Sequence, residues 1–222
     1  EGLHALADAH GIELVGGDTT AGPLNLCITA FGEVPAGCAL RRDGARAGDT
    51  LWVSHPSGGG IGDARLALEV FRGRLALPAE AFESVRLAME CPQPRVALGR
   101  ALVGVATSAI DLSDGLSGDL GHILSRSAVG ACVQADALPR SAVLAAQPLD
   151  LQLECLLAGG DDYELLFTAP APAVARVHAA ADSAGVAVTP IGQIESKPGL
   201  RVIDVRGQAL ALHWRGFDHF AS

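Results

Sequence analysis

Lysine is almost absent from this chain: Lys197 stands alone among sixteen basic residues, and the formal net charge is −9. A duplex nucleic-acid binder presents a basic face, so that class is disfavoured. Long apolar runs are missing as well. None approaches the ~20 residues that span a bilayer, and Glu1-Gly2-Leu3-His4 offers neither a basic n-region nor an apolar h-region, so no membrane anchor or signal peptide is expected. No methionine opens the chain, and its first residues read as the end of a helix, so the expectation is a sequence that begins inside a longer protein. Cys27, Cys38, Cys91, Cys132 and Cys155 form no CxxC pair. Their odd count and irregular spacing argue against a disulfide framework or a zinc site, and buried, reduced thiols in a cytoplasmic protein are expected.

The usual nucleotide and hydrolase signatures are lacking too. There is no GxxxxGK[ST], and no glycine-rich loop paired with a strand lysine. Ser57-Gly58-Gly59-Gly60-Ile61-Gly62 lacks the spacing of a dinucleotide fingerprint. Gly115-Leu116-Ser117-Gly118-Asp119 lacks the last glycine of a nucleophile elbow. Asp111-Leu112-Ser113-Asp114-Gly115 places its glycine one position early for a calcium loop, and His122 stands where that loop needs Glu.

What is present is a loose alternation of strand and helix signals. Strands are expected at Ile12–Val15, Asn25–Val34, Thr50–Ser54, Thr107–Asp111, Ala131–Ala135, Glu164–Thr168, Val186–Ile194, Leu200–Val205 and Ala209–Trp214. Helices are expected at Leu3–His10, Asp63–Phe71, Ala79–Met89, Val96–Val105, Leu116–Ser125 and Ala173–Ala184, with Gly11 and Gly185 as stops. The stretch from Pro35 to Gly48 reads as a crossover between domains. The fold class is α/β (α+β), with helices over a sheet.

Three short segments put carboxylates into glycine-flanked turns: Gly16-Gly17-Asp18-Thr19-Thr20, Asp111-Leu112-Ser113-Asp114-Gly115, and Gly159-Gly160-Asp161-Asp162-Tyr163-Glu164. Any one of them is more often a turn former or helix cap, and Asp114 could cap the helix that starts near Leu116. Three together, each following an apolar stretch, point to a shared acidic site. Converging carboxylates repel one another unless cations intervene, and magnesium supplies such charge through hard oxygen ligands. Phosphoryl transfer needs mainly positioning and charge neutralisation, so a lysine-poor chain can perform it with several bound metal ions.

Read whole, GGDTTAGPLN at 16–25, GEVPAGCALRRDGARAGD at 32–49, SAIDLSDGLSGDLGHIL at 108–124, AGGDDYELLFT at 158–168 and WRGFDHF at 214–220 resemble the bacterial thiamine-monophosphate kinases. Their superfamily includes aminoimidazole ribonucleotide synthetase and selenophosphate synthetase. The resemblance implies a homodimer of two-domain subunits using ATP, Mg2+ and thiamine monophosphate. Residues 1–36 would be the remnant of an N-terminal ATP- and magnesium-binding domain, and 37–222 the C-terminal α/β domain. It implies ATP contacts from Gly17, Asp18, Arg42 and Ser113. Magnesium ligation would fall to Asp18, Asp111 and Asp114, and substrate contacts to Asp161 and Phe217. Two positions depart from the family pattern: Ala21, where arginine is common, and Asp161, where glutamate is commoner.

Overall fold

Side chains alternate across a β-strand, and in β1 (Asp49–His55) Leu51 and Val53 join one apolar cluster while Trp52 joins another. Trp52 lies opposite Phe167 of β4 (Leu165–Pro170), and the two rings stack with centroids 6.3 Å apart. The computed structural model describes residues 2–211, so Phe217 and the second half of the expected strand Ala209–Trp214 lie outside the described residues.

The chain divides into two compact units, Glu1–Gly37 and Cys38–Ser222. The second contains β1, α2 (Asp63–Phe71), α3 (Ala79–Glu90), α4 (Val96–Ala101), β2 (Ser108–Asp111), α5 (Leu116–Ser127), β3 (Gly130–Gln134), α6 (Ala142–Ala145), α7 (Leu149–Ala158), β4, α8 (Val174–Ala184), β5 (Ala187–Glu195) and β6 (Gly199–Ile203). Six strands form one mixed sheet in the order β2-β4-β1-β5-β3-β6. Only the β3–β6 pair is parallel. The larger core packs this sheet against residues of α2, α3, α5 and α7; the smaller packs Trp52 and Phe167 against Leu98 of α4, Leu102 just beyond it and Val177 of α8. Helices therefore cover both faces of the sheet.

In the first unit, α1 (Gly2–Ala9) is stopped by Gly11 at φ 64°, and the Ile12 N–H donates to the Ala7 carbonyl. The expected strands Ile12–Val15 and Asn25–Val34 do not form. A strand exists through the ladder it makes with a neighbour, and no described segment supplies one. Leu24, Leu26 and Ile28 keep a strand-like alternation and are exposed.

The expectation of buried thiols also fails in part. All five cysteines are free, but Cys27 and Cys91 are exposed and only Cys155 is fully buried. Burial pushes the Cys155 thiol up to about 12. Among the described residues no helix is long and apolar enough to cross a membrane.

Candidate functional site

Two of the acidic turns meet at one end of the sheet. β2 ends at Asp111, which pairs with Leu165 at the start of β4, so the turn leaving β2 and the turn entering β4 are held side by side. Backbone bonds stitch them together. Leu112 N–H donates to the Glu164 carbonyl (2.8 Å), Asp161 N–H to the Ser113 carbonyl (3.0 Å), and Tyr163 N–H to the Leu112 carbonyl (2.8 Å). The approach is so close that a Cβ on Gly160 would stand 2.3 Å from the Ser113 carbonyl oxygen. Gly115, at φ 101°, is likewise pressed against the Ala158–Gly159 backbone. Glycine is required at both positions for the turns to fit.

The acids of the second turn separate by alternation. Asp161 and Tyr163 face outward into a cleft of about 460 Å³ together with Ser113, Asp114 and Gly160. Both have positive φ, 66° and 50°, a conformation that costs non-glycine residues about 1–3 kcal/mol and persists where the surroundings enforce it. Asp162 turns inward, and both its carboxylate oxygens accept from the Gly62 N–H at the start of α2 (2.9 and 3.0 Å). Burial raises the Asp162 carboxyl well above the usual range, and the charges of Asp63, Glu164 and Asp161 add to the rise. Glu164 also turns inward, where Arg95 and Ser54 bond it. Of the motif's three carboxylates, therefore, one is left for the cleft.

The first turn is organised by a residue that was not among the candidates. Asp119, in the first turn of α5, accepts through Oδ2 from the N–H groups of Ser113 and Asp114, each 3.0 Å away. Asp114 stood as an alternative helix cap; it is Asp119 that reaches back to the turn. Its acidic position after Gly115 was the available sign, read as an incomplete nucleophile elbow instead.

Burial, helped by the charges of Asp114 and Asp111, lifts the Asp119 carboxyl from 3.8 to about 6. Within that window the folded chain holds a proton that the unfolded chain has released. The stability contributed by Asp119 therefore falls as pH rises through the window and is lowest above it. Asp119→Asn keeps an oxygen for the two amides and removes the charge. In metal-free buffer its stability is expected to match the parent's near pH 4 and exceed it at pH 7.5, as urea unfolding at both values would show. Equal pH profiles for parent and variant would refute this account.

Tyr163 registers the field of the cleft. Burial raises its hydroxyl first, and the charges of Asp161, Asp111 and Asp114 raise it further. Its hydroxyl lies 3.3 Å from Asp161 Oδ1, long for such a bond. Asp111 is half-buried at the end of its strand. Asp18 belongs to the first unit, where its Oδ1 accepts from the Thr19 N–H (2.7 Å), and Gly17 precedes it. Arg42 is an exposed residue of the second unit, whose carbonyl accepts from Ser127 Oγ.

Among the described residues no three His, Cys, Asp or Glu side chains are grouped as a protein-only metal site. Magnesium seldom requires one. It is commonly held by one or two carboxylates, with water and substrate phosphates completing the octahedron. Asp111 and Asp114, with Ser113 between them, are a donor set of that kind.

Comparison with known proteins gives this geometry a context. The family described as AIR synthase related protein, C-terminal domain, matches residues 46–205. The thiamine-monophosphate kinase of Salmonella typhimurium is 40% identical over 225 residues, covering the whole of this chain and 68% of the relative. The crystal structure of thiamine-monophosphate kinase from Stenotrophomonas maltophilia K279a superposes with a TM-score of 0.84 at 46% identity, over 94% of this chain and 66% of that one. The structure of AaThiL complexed with AMPPCP and TMP superposes with a TM-score of 0.64 at 28% identity, over 82% of this chain and 54% of that one. The chain thus spans about two thirds of the length of the Salmonella typhimurium and Stenotrophomonas maltophilia enzymes. By the sequence matched and the fold shared, the chain belongs to the thiamine-monophosphate kinase family.

Proposed function

We propose that this chain carries the phosphoryl-transfer chemistry of its family: the γ-phosphoryl group of ATP passes to the phosphate of thiamine monophosphate, giving thiamine diphosphate and ADP. The observation that carries the proposal is the joining of the Asp111–Gly115 and Gly159–Glu164 turns by backbone bonds around one acidic cleft. That arrangement occurs in a chain whose relatives are named for this reaction, one of them solved with AMPPCP and TMP.

In this reading Asp111 and Asp114 of the second unit would hold Mg2+, and Ser113 and Arg42 would contact ATP; in the first unit, Asp18 would be a magnesium ligand and, with Gly17, a nucleotide contact. Asp161 contacts the thiamine monophosphate, joined by Phe217, whose aromatic face suits a cationic thiazolium ring. Bound magnesium neutralises the phosphates and the charge that develops during transfer. The chain's own part is positioning. The strained 161–163 turn fixes Asp161 toward the acceptor, and Asp119 fixes the amides of the turn that carries Asp114. Transfer is read as direct and in line, since no residue of the sequence stands out as a covalent phosphoryl carrier. The homodimer and the cytoplasmic setting belong to the same proposal; five unpaired cysteines accord with a reducing compartment.

Thermal unfolding with magnesium, a non-hydrolysable ATP analogue and thiamine monophosphate tests it. Ligand at a hundred times its Kd contributes about 2.7 kcal/mol. In a domain of this size that corresponds to a midpoint rise of about 5–10 °C. The nucleotide shift is expected to require magnesium and to grow when thiamine monophosphate is added, and ADP release should depend on that acceptor. A nucleotide shift indifferent to magnesium, or ADP release indifferent to the acceptor, would sink the proposal.

A further inference from the structure

Helix α2 places Arg65, Leu68 and Arg72 at spacings of three and four, on one helical face. That face lines the cleft together with Ser113, Asp114, Asp161 and Tyr163. Arg65 is largely buried, with Glu69 3.0 Å and Glu154 3.1 Å from its guanidinium. Arg74, just beyond the helix, also turns to Glu69, at 3.5 Å. Arg72 is exposed, and no carboxylate of the described residues pairs with it. It is the one cleft-lining cation, among the described residues, whose charge is not already spent.

An acceptor that carries a phosphate dianion must enter a cleft already lined by Asp114 and Asp161. Magnesium on Asp111 and Asp114 would serve the nucleotide phosphates, leaving the acceptor's phosphate to be balanced by another cation lining the cleft. The single lysine of the chain, Lys197, lines a separate depression beside Glu195 and Arg201. A guanidinium suits the task, because its planar fork pairs with two phosphate oxygens at once.

We propose that Arg72 binds the phosphate monoester of the acceptor and so selects phosphorylated over unphosphorylated thiamine. The inference rests on the kinase reading above and adds a residue outside every motif that carries the family resemblance. Arg72 also caps the C-terminal end of α2, where a cation is favoured by the helix dipole. The purely structural role predicts a change in stability without a change in ligand preference, so the two can be separated.

Calorimetric binding of thiamine monophosphate and of thiamine to the chain, to Arg72→Gln and to Arg72→Lys makes the test. The parent is expected to prefer thiamine monophosphate. Arg72→Gln should weaken that ligand about tenfold or more, the scale of a lost charged hydrogen bond, while thiamine binds as before. Arg72→Lys should recover part of the preference, since it restores charge without the fork. A parent that prefers thiamine monophosphate and a Gln variant that keeps the full preference would overturn the role of Arg72 alone. Equal weakening of both ligands in the variant would overturn it too, in favour of the structural role. A parent with no preference would remove the kinase reading and this inference together.

Discussion

Arg95→Met is expected to cost the second unit about 3–5 kcal/mol, the range found when one partner of a buried ion pair is deleted. The side chains of Arg95 and Glu164 are only 12% and 5% exposed. Two guanidinium nitrogens bond the carboxylate, one of them 2.7 Å from Oε2. Ser54 Oγ donates to the same carboxylate and accepts from the Leu165 N–H, so a single cluster ties β1 to the first residues of β4. Without Arg95, one hydroxyl would remain to satisfy a carboxylate removed from water. For a domain of this size the loss corresponds to a fall in melting midpoint of about 6–20 °C.

The double variant Arg95→Met/Glu164→Leu is expected to regain much of the loss, because two apolar side chains of similar bulk leave no buried charge behind. Urea unfolding of parent, single and double variants reads both effects. A single variant within 1 kcal/mol of the parent would mean that water reaches Glu164 and that the pair is not buried in solution. The consequence for function follows from the chain path. The Glu164 carbonyl accepts from Leu112 N–H, so loosening Glu164 also loosens the joint between the two acidic turns.

Much of the second unit was legible in the sequence. The helix at Asp63–Phe71 appears with the bounds its apolar spacing indicates, and Gly185 closes α8 in the left-handed conformation. The helix Leu149–Ala158 was not seen, because Leu149, Leu151 and Leu153 alternate as a strand would while Leu156 and Leu157 extend the apolar surface. A segment buried against other helices shows no clean helical stripe. The expected helix Val96–Val105 ends at Ala101 and continues only as turns. In the first unit the patterns at Ile12–Val15 and Asn25–Val34 are strand-like in composition, but pairing is a property of two segments and a sequence displays one.

The candidate site was legible as motifs and illegible as roles. The motif Gly159–Glu164 carries three carboxylates, but the alternation of the chain sends Asp162 to Gly62 and Glu164 to Arg95. Nothing in the local sequence says which acids face inward, since the partners lie 100 and 69 residues away. Asp119 was missed for a similar reason: its work is to bond two amides, and that appears only once the turn is folded.

Asp111→Asn should separate stability from activity, because the carboxylate of Asp111, proposed above as a magnesium ligand, adds charge repulsion to the unliganded turn. Its charge helps to raise both Asp119 and Tyr163, and none of the hydrogen bonds joining the two turns uses its side chain. Replacing it with the isosteric amide removes repulsion and breaks no bond of that joint. The unliganded variant is therefore expected to unfold at or above the parent's midpoint. Catalysis moves the other way. If Asp111 ligates magnesium, the amide oxygen is a poorer donor for a hard dication, and turnover should fall about a hundredfold or more, the scale on which a preorganised charge contact at the reacting group is lost. The magnesium-dependent shift produced by an ATP analogue should disappear with it. A protein kept for its reaction tolerates such repulsion because the bound state removes it. A variant that is clearly less stable when unliganded would mark Asp111 as part of the scaffold, and one that keeps the magnesium-dependent shift would exclude it from the metal site.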